Sequence, residues 1–130
     1  MTQEKSPYKS KGGPGRLINA LRYSAQGLGA AFKHEAAFRQ ELLATIILIP
    51  IAFWIGQSTG ETILLIGTLF VVLIVEVINS AIEAVADTIT MGYHPMIGRA
   101  KDLGSAAVML SIIFSVIVWV TVITNHLIAA

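Results

Sequence analysis

The stretch that decides the fold is EVINSAIEAVAD, residues 76–87, because it carries three acids and an amide directly after an unbroken apolar run, residues 62–75. The apolar run has the composition of a membrane span. A helix turns by about 100° per residue, so residues three or four apart share one face. Five polar residues follow this spacing: Glu76, Asn79, Ser80, Glu83 and Asp87. Acids in a membrane span are costly and usually mark a site, so this face is predicted to bind a metal ion and to perform chemistry.

The composition of the whole chain also indicates a membrane protein. Its 130 residues are 55% hydrophobic and only 13% charged, and the mean hydropathy is +0.72. Soluble domains are about one quarter charged, so an ordinary soluble fold is excluded. The absence of cysteine excludes a disulfide scaffold, a thiolate metal site and a cysteine nucleophile.

Helical periodicity divides the chain into a tail and four helices. Residues 1–15 are predicted to be a flexible tail, and residues 16–128 a single membrane-embedded domain. Within that domain, residues 16–33 form a basic amphipathic pattern that is typical of a helix lying in the membrane interface. A cytosolic helix packed on a protein partner is the alternative for this segment. Three spans follow, at about residues 35–56, 62–90 and 98–125, so the predicted fold is all-α and integral to the membrane.

Two local patterns set the bounds of the middle span. Ser58 and Glu61 have the spacing of a capping box, which opens a helix. Gly92 is predicted to end the same helix, since glycine is the common residue just beyond a helix C-terminus. The resulting helix is longer than the hydrocarbon core requires, so its Asp87 end is expected to reach the membrane surface while Glu76 lies deeper.

The distribution of charge predicts the topology. Every Lys and Arg lies either before Leu42 or at Arg99 and Lys101. Positive charge marks cytoplasmic segments, so the N-terminal segment and the second loop are predicted to be cytoplasmic, and the first loop and the C-terminus to lie on the far side. This topology brings nine polar residues to one membrane face: Glu35, Arg39, Glu41, Glu83, Asp87, His94, Arg99, Lys101 and Asp102.

These residues have the chemistry of a magnesium–phosphate site. Mg²⁺ commonly binds one or two carboxylates together with substrate phosphates, and Glu35 and Glu83 lie at similar depth on different helices. Lys101 would neutralise phosphoryl oxygens. Glu76, in drier surroundings, would accept a proton from a hydroxyl group, and Asn79 would orient that carboxylate or the nucleophile.

Simpler interpretations exist for several of these side chains. Glu35 and Arg39, four residues apart, have the spacing of a helix surface pair. His94, which precedes Pro95, has the position of a loop or helix-capping residue. Arg99 and Lys101 also serve as topology determinants whether or not they act in a site.

Three motifs in order resemble the prokaryotic diacylglycerol kinase family of small three-span lipid kinases. They are EAAFRQE at residues 35–41, VEVINSAIEAVAD at residues 75–87, and Tyr93-His94 followed by GRAKDLGSAA at residues 98–107. The resemblance implies a homotrimer in the bacterial cytoplasmic membrane, with active sites at subunit interfaces near the cytoplasmic surface. It also implies transfer of the ATP γ-phosphate, with Mg²⁺, to the primary hydroxyl of diacylglycerol, and no nucleic-acid partner.

The resemblance further implies a role for each matching residue. Glu76 would be the general base, and Asn79, Lys101 and Asp102 further catalytic residues. Glu35 and Glu83 would be the metal ligands. The nucleotide would contact Arg16, Tyr23, Glu35, Glu83, Asp87, Gly92, Tyr93, His94, Lys101 and Asp102. The lipid substrate would contact Arg16, Ala37, Phe38, Arg39, Gln40, Glu41, Glu76 and Ser105.

Two positions depart from the best-known members of the family. Gly92 stands where those members carry an acid, so a contact with adenine there would involve the backbone. Pro95 resembles relatives that look like undecaprenol kinases, which makes undecaprenol the alternative acceptor. A small oligomeric transporter or channel with Glu76 as an ion site is a more remote alternative, and a holin-like pore leaves the clustered carboxylates without a role.

Overall fold

In a computed structural model, which describes residues 12–129, this part of the chain consists of four α-helices and no strand. The helices are α1 (Pro14–His34), α2 (Ala36–Ile55), α3 (Thr59–Ile89) and α4 (Pro95–Ala129). Residues 1–11 of the predicted tail lie outside the described residues. Pro14 opens α1 two residues before the expected start at Arg16, which suits proline because its fixed φ is compatible with the first helical position.

Three of these helices, α2, α3 and α4, are long and apolar enough to cross a membrane. Their bounds lie within four residues of the predicted spans. The prediction of an all-helical protein with three span-length helices is therefore confirmed. The predicted N-terminal helix is present as α1, while its position in the membrane interface stays a prediction.

The N-terminus of α3 agrees with the predicted capping box, whereas its C-terminus does not agree with the predicted glycine stop. The backbone N–H of Glu61 donates to Ser58 Oγ at 3.1 Å, and the Glu61 carboxylate accepts from the N–H of Gln57 at 2.9 Å, so the capping interaction is formed. The prediction that Gly92 stops the helix is wrong: the helix ends at Ile89 because Thr90 adopts an extended conformation with φ −160°, and Gly92 has no positive φ.

The central element is α3, which packs mainly against α4 and less extensively against α2. Apolar side chains, aliphatic except for one tryptophan, fill the core between these helices: Ala52, Ile55, Leu65, Leu69, Trp119 and Val122. The buried residues of α3 from Leu65 to Asn79 keep to spacings that share one helix face, so one stripe of the helix faces the interior. Glu76 and Asn79 belong to that same stripe.

A small hydroxyl network links α3 to α4 in the apolar interior. Ser115 Oγ donates to Thr68 Oγ1 at 3.0 Å, and Trp119 Nε1 donates both to Thr68 Oγ1 and to the Leu65 carbonyl at 3.2 Å. Thr68 Oγ1 itself donates to the Leu65 carbonyl at 2.8 Å. Polar groups in an apolar interior need such partners, so the network fixes the register of the two helices.

The first helix, α1, makes few contacts, and within the described residues these are with α2 and α3. Ala31 is its only buried residue. Leu17, Leu21, Leu28 and Phe32 are each more than half exposed. The apolar stripe recognised in the sequence is thus largely free of protein contacts within the described part of the chain.

Candidate functional site

The acidic face of α3 changes from buried to exposed along the helix. Glu76 and Asn79 are 5% and 8% exposed, respectively. Glu83 is half-buried, and Asp87 at the next turn is exposed. The α3 helix therefore carries one carboxylate and one amide inside the protein, followed by two carboxylates that are progressively more exposed.

Acids from α2 and from the junction before it approach this face. The charge on Glu76 interacts with those on Glu35 and Glu83, and the charge on Glu41 interacts with that on Glu76. Glu35 is the single residue between α1 and α2, in an extended conformation with φ −115° and ψ 105°. Carboxylates gathered in this way attract cations, so the cluster has the electrostatics of a cation site.

No group of three or more His, Asp or Glu side chains among residues 12–129 is arranged to hold a metal ion alone. Mg²⁺ does not require such a group, because it commonly takes one or two carboxylates and completes its coordination with water and substrate phosphates. Glu35 and Glu83 have the oxygen donors that this mode of binding needs. Their pairing on one Mg²⁺ stays a prediction.

Gly104 brings α4 into contact with the amide of Asn79. A Cβ atom built at Gly104 would overlap Asn79 Oδ1. Within the described residues, Asn79 Oδ1 is buried without a hydrogen-bond partner, as are Glu41 Oε2 and Ser80 Oγ. The buried end of the face thus offers oxygen acceptors that protein donors do not engage.

Lys101 forms the only salt bridge among residues 12–129. Its Nζ lies 2.6 Å from Asp87 Oδ1, and the two side chains are 40% and 43% exposed. Lys101 also interacts with the charge on Glu83. The predicted phosphate-binding cation is therefore beside the shallow end of the acidic face, while Asp102, the next residue, is exposed.

The segment between α3 and α4 holds three residues assigned to the nucleotide. The N–H of Gly92 donates to Thr90 Oγ1 at 3.0 Å, so this backbone donor is already engaged. Tyr93 is 92% exposed. His94 Nδ1 accepts from the N–H of Met96 at 3.2 Å, which confirms the interpretation of His94 as a helix-capping residue.

The remaining residues assigned to the nucleotide, Arg16 and Tyr23, lie exposed on α1. The other proposed nucleotide contacts, in the segment between α3 and α4, lie far from these two residues in the sequence. Their convergence on one nucleotide stays a prediction.

The residues assigned to the lipid substrate divide into exposed and buried groups. Ala37, Arg39, Gln40 and Ser105 are exposed, Glu41 is half-buried, and Phe38 is only 4% exposed. Phe38 lines a groove of about 550 Å³ whose other lining residues are also apolar: Leu28, Leu42, Phe70, Leu73, Ile74, Val77 and Ile78. Val77, which lines the groove, follows Glu76 directly in α3, and its side chain points about 100° around the helix axis from that of Glu76.

Arg39 has a contact that the sequence did not indicate. Its Nη1 donates to the carbonyls of Phe32 and Lys33 at 2.8 and 3.2 Å. The interpretation of Arg39 and Glu35 as a surface ion pair is wrong, since no such pair occurs in residues 12–129. The unpaired carbonyls at the end of α1 attract the guanidinium instead, and no local sequence signal distinguishes the two arrangements.

Three span-length helices and a partly buried acidic face define a multi-pass helical membrane protein with a polar site built on its middle span. The family model described as prokaryotic diacylglycerol kinase matches residues 22–123, and the chain belongs to this family. The match covers α2, α3 and most of α4, and it includes every acid of the face.

Several relatives carry the name diacylglycerol kinase. The Escherichia coli (strain K12) protein is 49% identical over 111 residues, which cover 85% of this chain and 91% of that protein. The Pseudomonas aeruginosa protein is 44% identical over 118 residues, which cover 91% and 96% of the two chains. The Haemophilus influenzae protein is 47% identical over 103 residues, which cover 79% and 87%. The similarity thus extends over nearly the whole of each relative.

Proposed function

We propose that this protein is a diacylglycerol kinase that transfers the γ-phosphate of ATP to the primary hydroxyl of diacylglycerol, giving phosphatidic acid and ADP. Membership of the prokaryotic diacylglycerol kinase family supports the activity, as do the names of the relatives. The observation that carries the proposal is the acidic face of α3, where a buried Glu76 and a shallower Glu83 lie on one helix.

The buried end of this face suits the lipid hydroxyl. Glu76 would accept the hydroxyl proton as the oxygen attacks the γ-phosphorus, while the bond from that phosphorus to ADP breaks. The Asn79 amide, one turn away, would orient the hydroxyl or the carboxylate. The neighbouring apolar groove suits an acyl chain of the substrate, so that the hydroxyl and the hydrocarbon would lie close to each other.

The shallow end suits the nucleotide. Glu35 and Glu83 would hold Mg²⁺, which neutralises phosphate charge when it is bound with ATP. Lys101 would donate to phosphoryl oxygens after leaving Asp87, its partner in the present structure. The exposed position of this pair is compatible with such an exchange.

The membrane arrangement and the oligomeric state are part of the proposal. We expect a multi-pass protein of the bacterial cytoplasmic membrane, with α1 and the segment between α3 and α4 on its cytoplasmic side, because these carry the positive charge. We also expect a homotrimer. The large exposed side chains of α3 and α4, such as Phe70 and Phe114, supply apolar surface for lipid and for neighbouring copies.

The acceptor is tested by giving the purified protein Mg-ATP in mixed micelles with either diacylglycerol or undecaprenol. We expect phosphate transfer to diacylglycerol, measured as radiolabelled phosphatidic acid, and little transfer to undecaprenol. Preferential phosphorylation of undecaprenol would establish the alternative suggested by Pro95. Absence of lipid-dependent ATP consumption with both acceptors would reject a lipid kinase and favour a transporter or channel.

A further inference from the structure

The direction of α1 relative to α2 depends on a single residue. The first helix ends at His34, the second begins at Ala36, and Glu35 between them is extended. Two backbone hydrogen bonds flank this elbow: the N–H of Glu35 donates to the Ala31 carbonyl at 2.9 Å, and the N–H of Arg39 donates to the Glu35 carbonyl at 3.2 Å. A change in the elbow would therefore move the Glu35 side chain together with α1.

Arg39 bridges this elbow from α2 back to α1. Its Nη1 donates to the carbonyls of Phe32 and Lys33, which lie in the last turn of α1 and have no acceptor role within the helix. A cation at a helix C-terminus also interacts favourably with the helix dipole. The guanidinium thus satisfies two carbonyl groups and joins two helices.

Little else holds α1 in place. Its one buried residue is Ala31, and its packing against α2 and α3 is sparse. Among residues 12–129, the Arg39 contacts are the only side-chain hydrogen bonds between α1 and another helix. Without the guanidinium, only the backbone conformation of Glu35 and the sparse apolar contact around Ala31 would fix the angle between α1 and α2.

We propose that Arg39 is a positioning residue, which fixes the α1–α2 elbow and thereby presents the Glu35 carboxylate to the acidic face of α3. The Glu35 and Glu76 carboxylates repel each other, so the placement of Glu35 affects the buried end of the face. The kinetic consequence of the proposal rests on the proposed function, because Glu35 is assigned there to the Mg-ATP side. The effect on the elbow itself does not depend on any activity.

Three variants separate charge from geometry. Arg39→Met removes the donors and keeps an apolar stem, whereas Arg39→Lys keeps the charge but lacks the planar fork of guanidinium donors. Arg22→Met is the matched control, since Arg22 is also an exposed arginine, on α1, and makes no side-chain hydrogen bond within residues 12–129. All three proteins are compared with the parent chain in the same lipid.

The elbow is measured by the distance between two spin labels, at Gln26→Cys on α1 and Ile47→Cys on α2. Both positions are exposed, and the chain has no native cysteine. Dilution with unlabelled protein restricts the signal to pairs within one chain. We expect a narrow distance distribution in the parent and in Arg22→Met, a broad one in Arg39→Met, and an intermediate width in Arg39→Lys. An unchanged distance distribution in Arg39→Met would overturn the proposal. If that variant does not fold, an unchanged distribution in Arg39→Lys would overturn it instead.

The kinetic measurement distinguishes positioning from direct lipid contact. We expect Arg39→Met to raise the KM for Mg-ATP on the order of tenfold, as for the loss of one charged hydrogen bond, with partial rescue in Arg39→Lys. A raised KM for diacylglycerol alone, with the label distances unchanged, would show a lipid contact and overturn the proposal. Absence of kinase activity in the parent chain would reject the proposed function, and the label distances would still test the elbow.

Discussion

Gly104 of α4 lies against the side-chain amide of Asn79 of α3, with no space for a Cβ atom between them. We expect Gly104→Ala to displace Asn79 or to separate the two helices. Overpacking of this kind costs about 1–3 kcal/mol, and the displaced amide would lower kcat. Both effects are measured, by unfolding in mixed detergent and by the lipid kinase assay.

Gly98→Ala is the matched control on the same helix. A Cβ atom at Gly98 would have no neighbour within 4 Å, and alanine in a helix interior is favoured over glycine by about 0.5–1 kcal/mol. We therefore expect Gly98→Ala to retain activity and stability. Equal loss in both variants would show that backbone flexibility, rather than contact with Asn79, makes Gly104 important.

The Asn79–Gly104 contact also shows what the sequence could reveal about this protein. The spacing of Glu76, Asn79 and Glu83 predicted a shared face. The structure places Glu76 and Asn79 on the inward stripe of α3, whereas Glu83, one turn further on, is half-buried. The helical period alone did not identify Gly104 of α4 as the neighbour of Asn79. Local periodicity determines which residues share a face, whereas contacts between helices depend on their packing.

The dependence of contacts on helix packing also explains why two polar contacts were not predicted from the sequence. Lys101 and Asp87 are 14 residues apart on different helices, and Arg39 turns back across a one-residue elbow. In both cases the partner is chosen by the relative position of two helices. The end of α3 differs for another reason, because an extended Thr90 ends a helix as effectively as a glycine with positive φ.

The hydroxyl network around Thr68 is expected to stabilise the α3–α4 pair. Thr68→Val keeps the shape but removes the acceptor of Ser115 Oγ and one acceptor of Trp119 Nε1. Hydrogen bonds between membrane helices contribute about 0.6 kcal/mol on average and at most about 1.7, so we expect a loss of about 1 kcal/mol in the free energy of unfolding. Steric trapping in bicelles measures it.

Thr121→Val provides the comparison for that measurement. Thr121 Oγ1 donates to the Ile117 carbonyl within the same helix and is exposed, so its loss should change the free energy of unfolding by less than about 0.5 kcal/mol. If both variants lose the same stability, the contact across the helices contributes nothing beyond a hydroxyl bonded to its own helix.

Lys101→Met is expected to lower the kinase activity without changing the stability of the protein. The salt bridge to Asp87 is exposed, and exposed ion pairs stabilise proteins little, so the variant should unfold like the parent chain. Its kcat/KM for Mg-ATP should fall at least about a hundredfold if Lys101 donates to the transferring phosphate. A parallel loss of stability and activity would instead indicate a structural role for the pair.

His94 allows a test between capping and nucleotide contact. Because His94 Nδ1 accepts from the N–H of Met96, His94→Ala should destabilise the start of α4 by about 0.5–2 kcal/mol, as for other N-terminal caps. Asparagine is a strong capping residue, so His94→Asn should restore stability. If the KM for ATP is restored as well, the imidazole acts through the cap. If the KM stays high while stability returns, the imidazole contacts the nucleotide.

Substitution of Glu76 and of Glu83 should change different kinetic parameters, because the two residues lie at different depths of one face. Glu76→Gln keeps the size of the buried side chain but cannot accept a proton, so we expect kcat to fall by about 10²- to 10⁴-fold while the affinity for Mg-ATP is retained. Glu83→Gln would weaken the proposed ligand of the nucleotide-bound Mg²⁺, so we expect a higher KM for Mg-ATP, which added Mg²⁺ partly offsets. Both are measured by steady-state kinetics and by binding of a non-hydrolysable ATP analogue.

Glu61→Gln completes the set, since Glu61 belongs to the same helix but caps its opposite end through the N–H of Gln57. That change should leave kcat and both KM values as in the parent chain. Full activity in Glu76→Gln would remove the general base from the mechanism. A fall in kcat alone in both Glu76→Gln and Glu83→Gln would contradict the proposed division of the face into a buried half for the hydroxyl and a shallow half for the nucleotide.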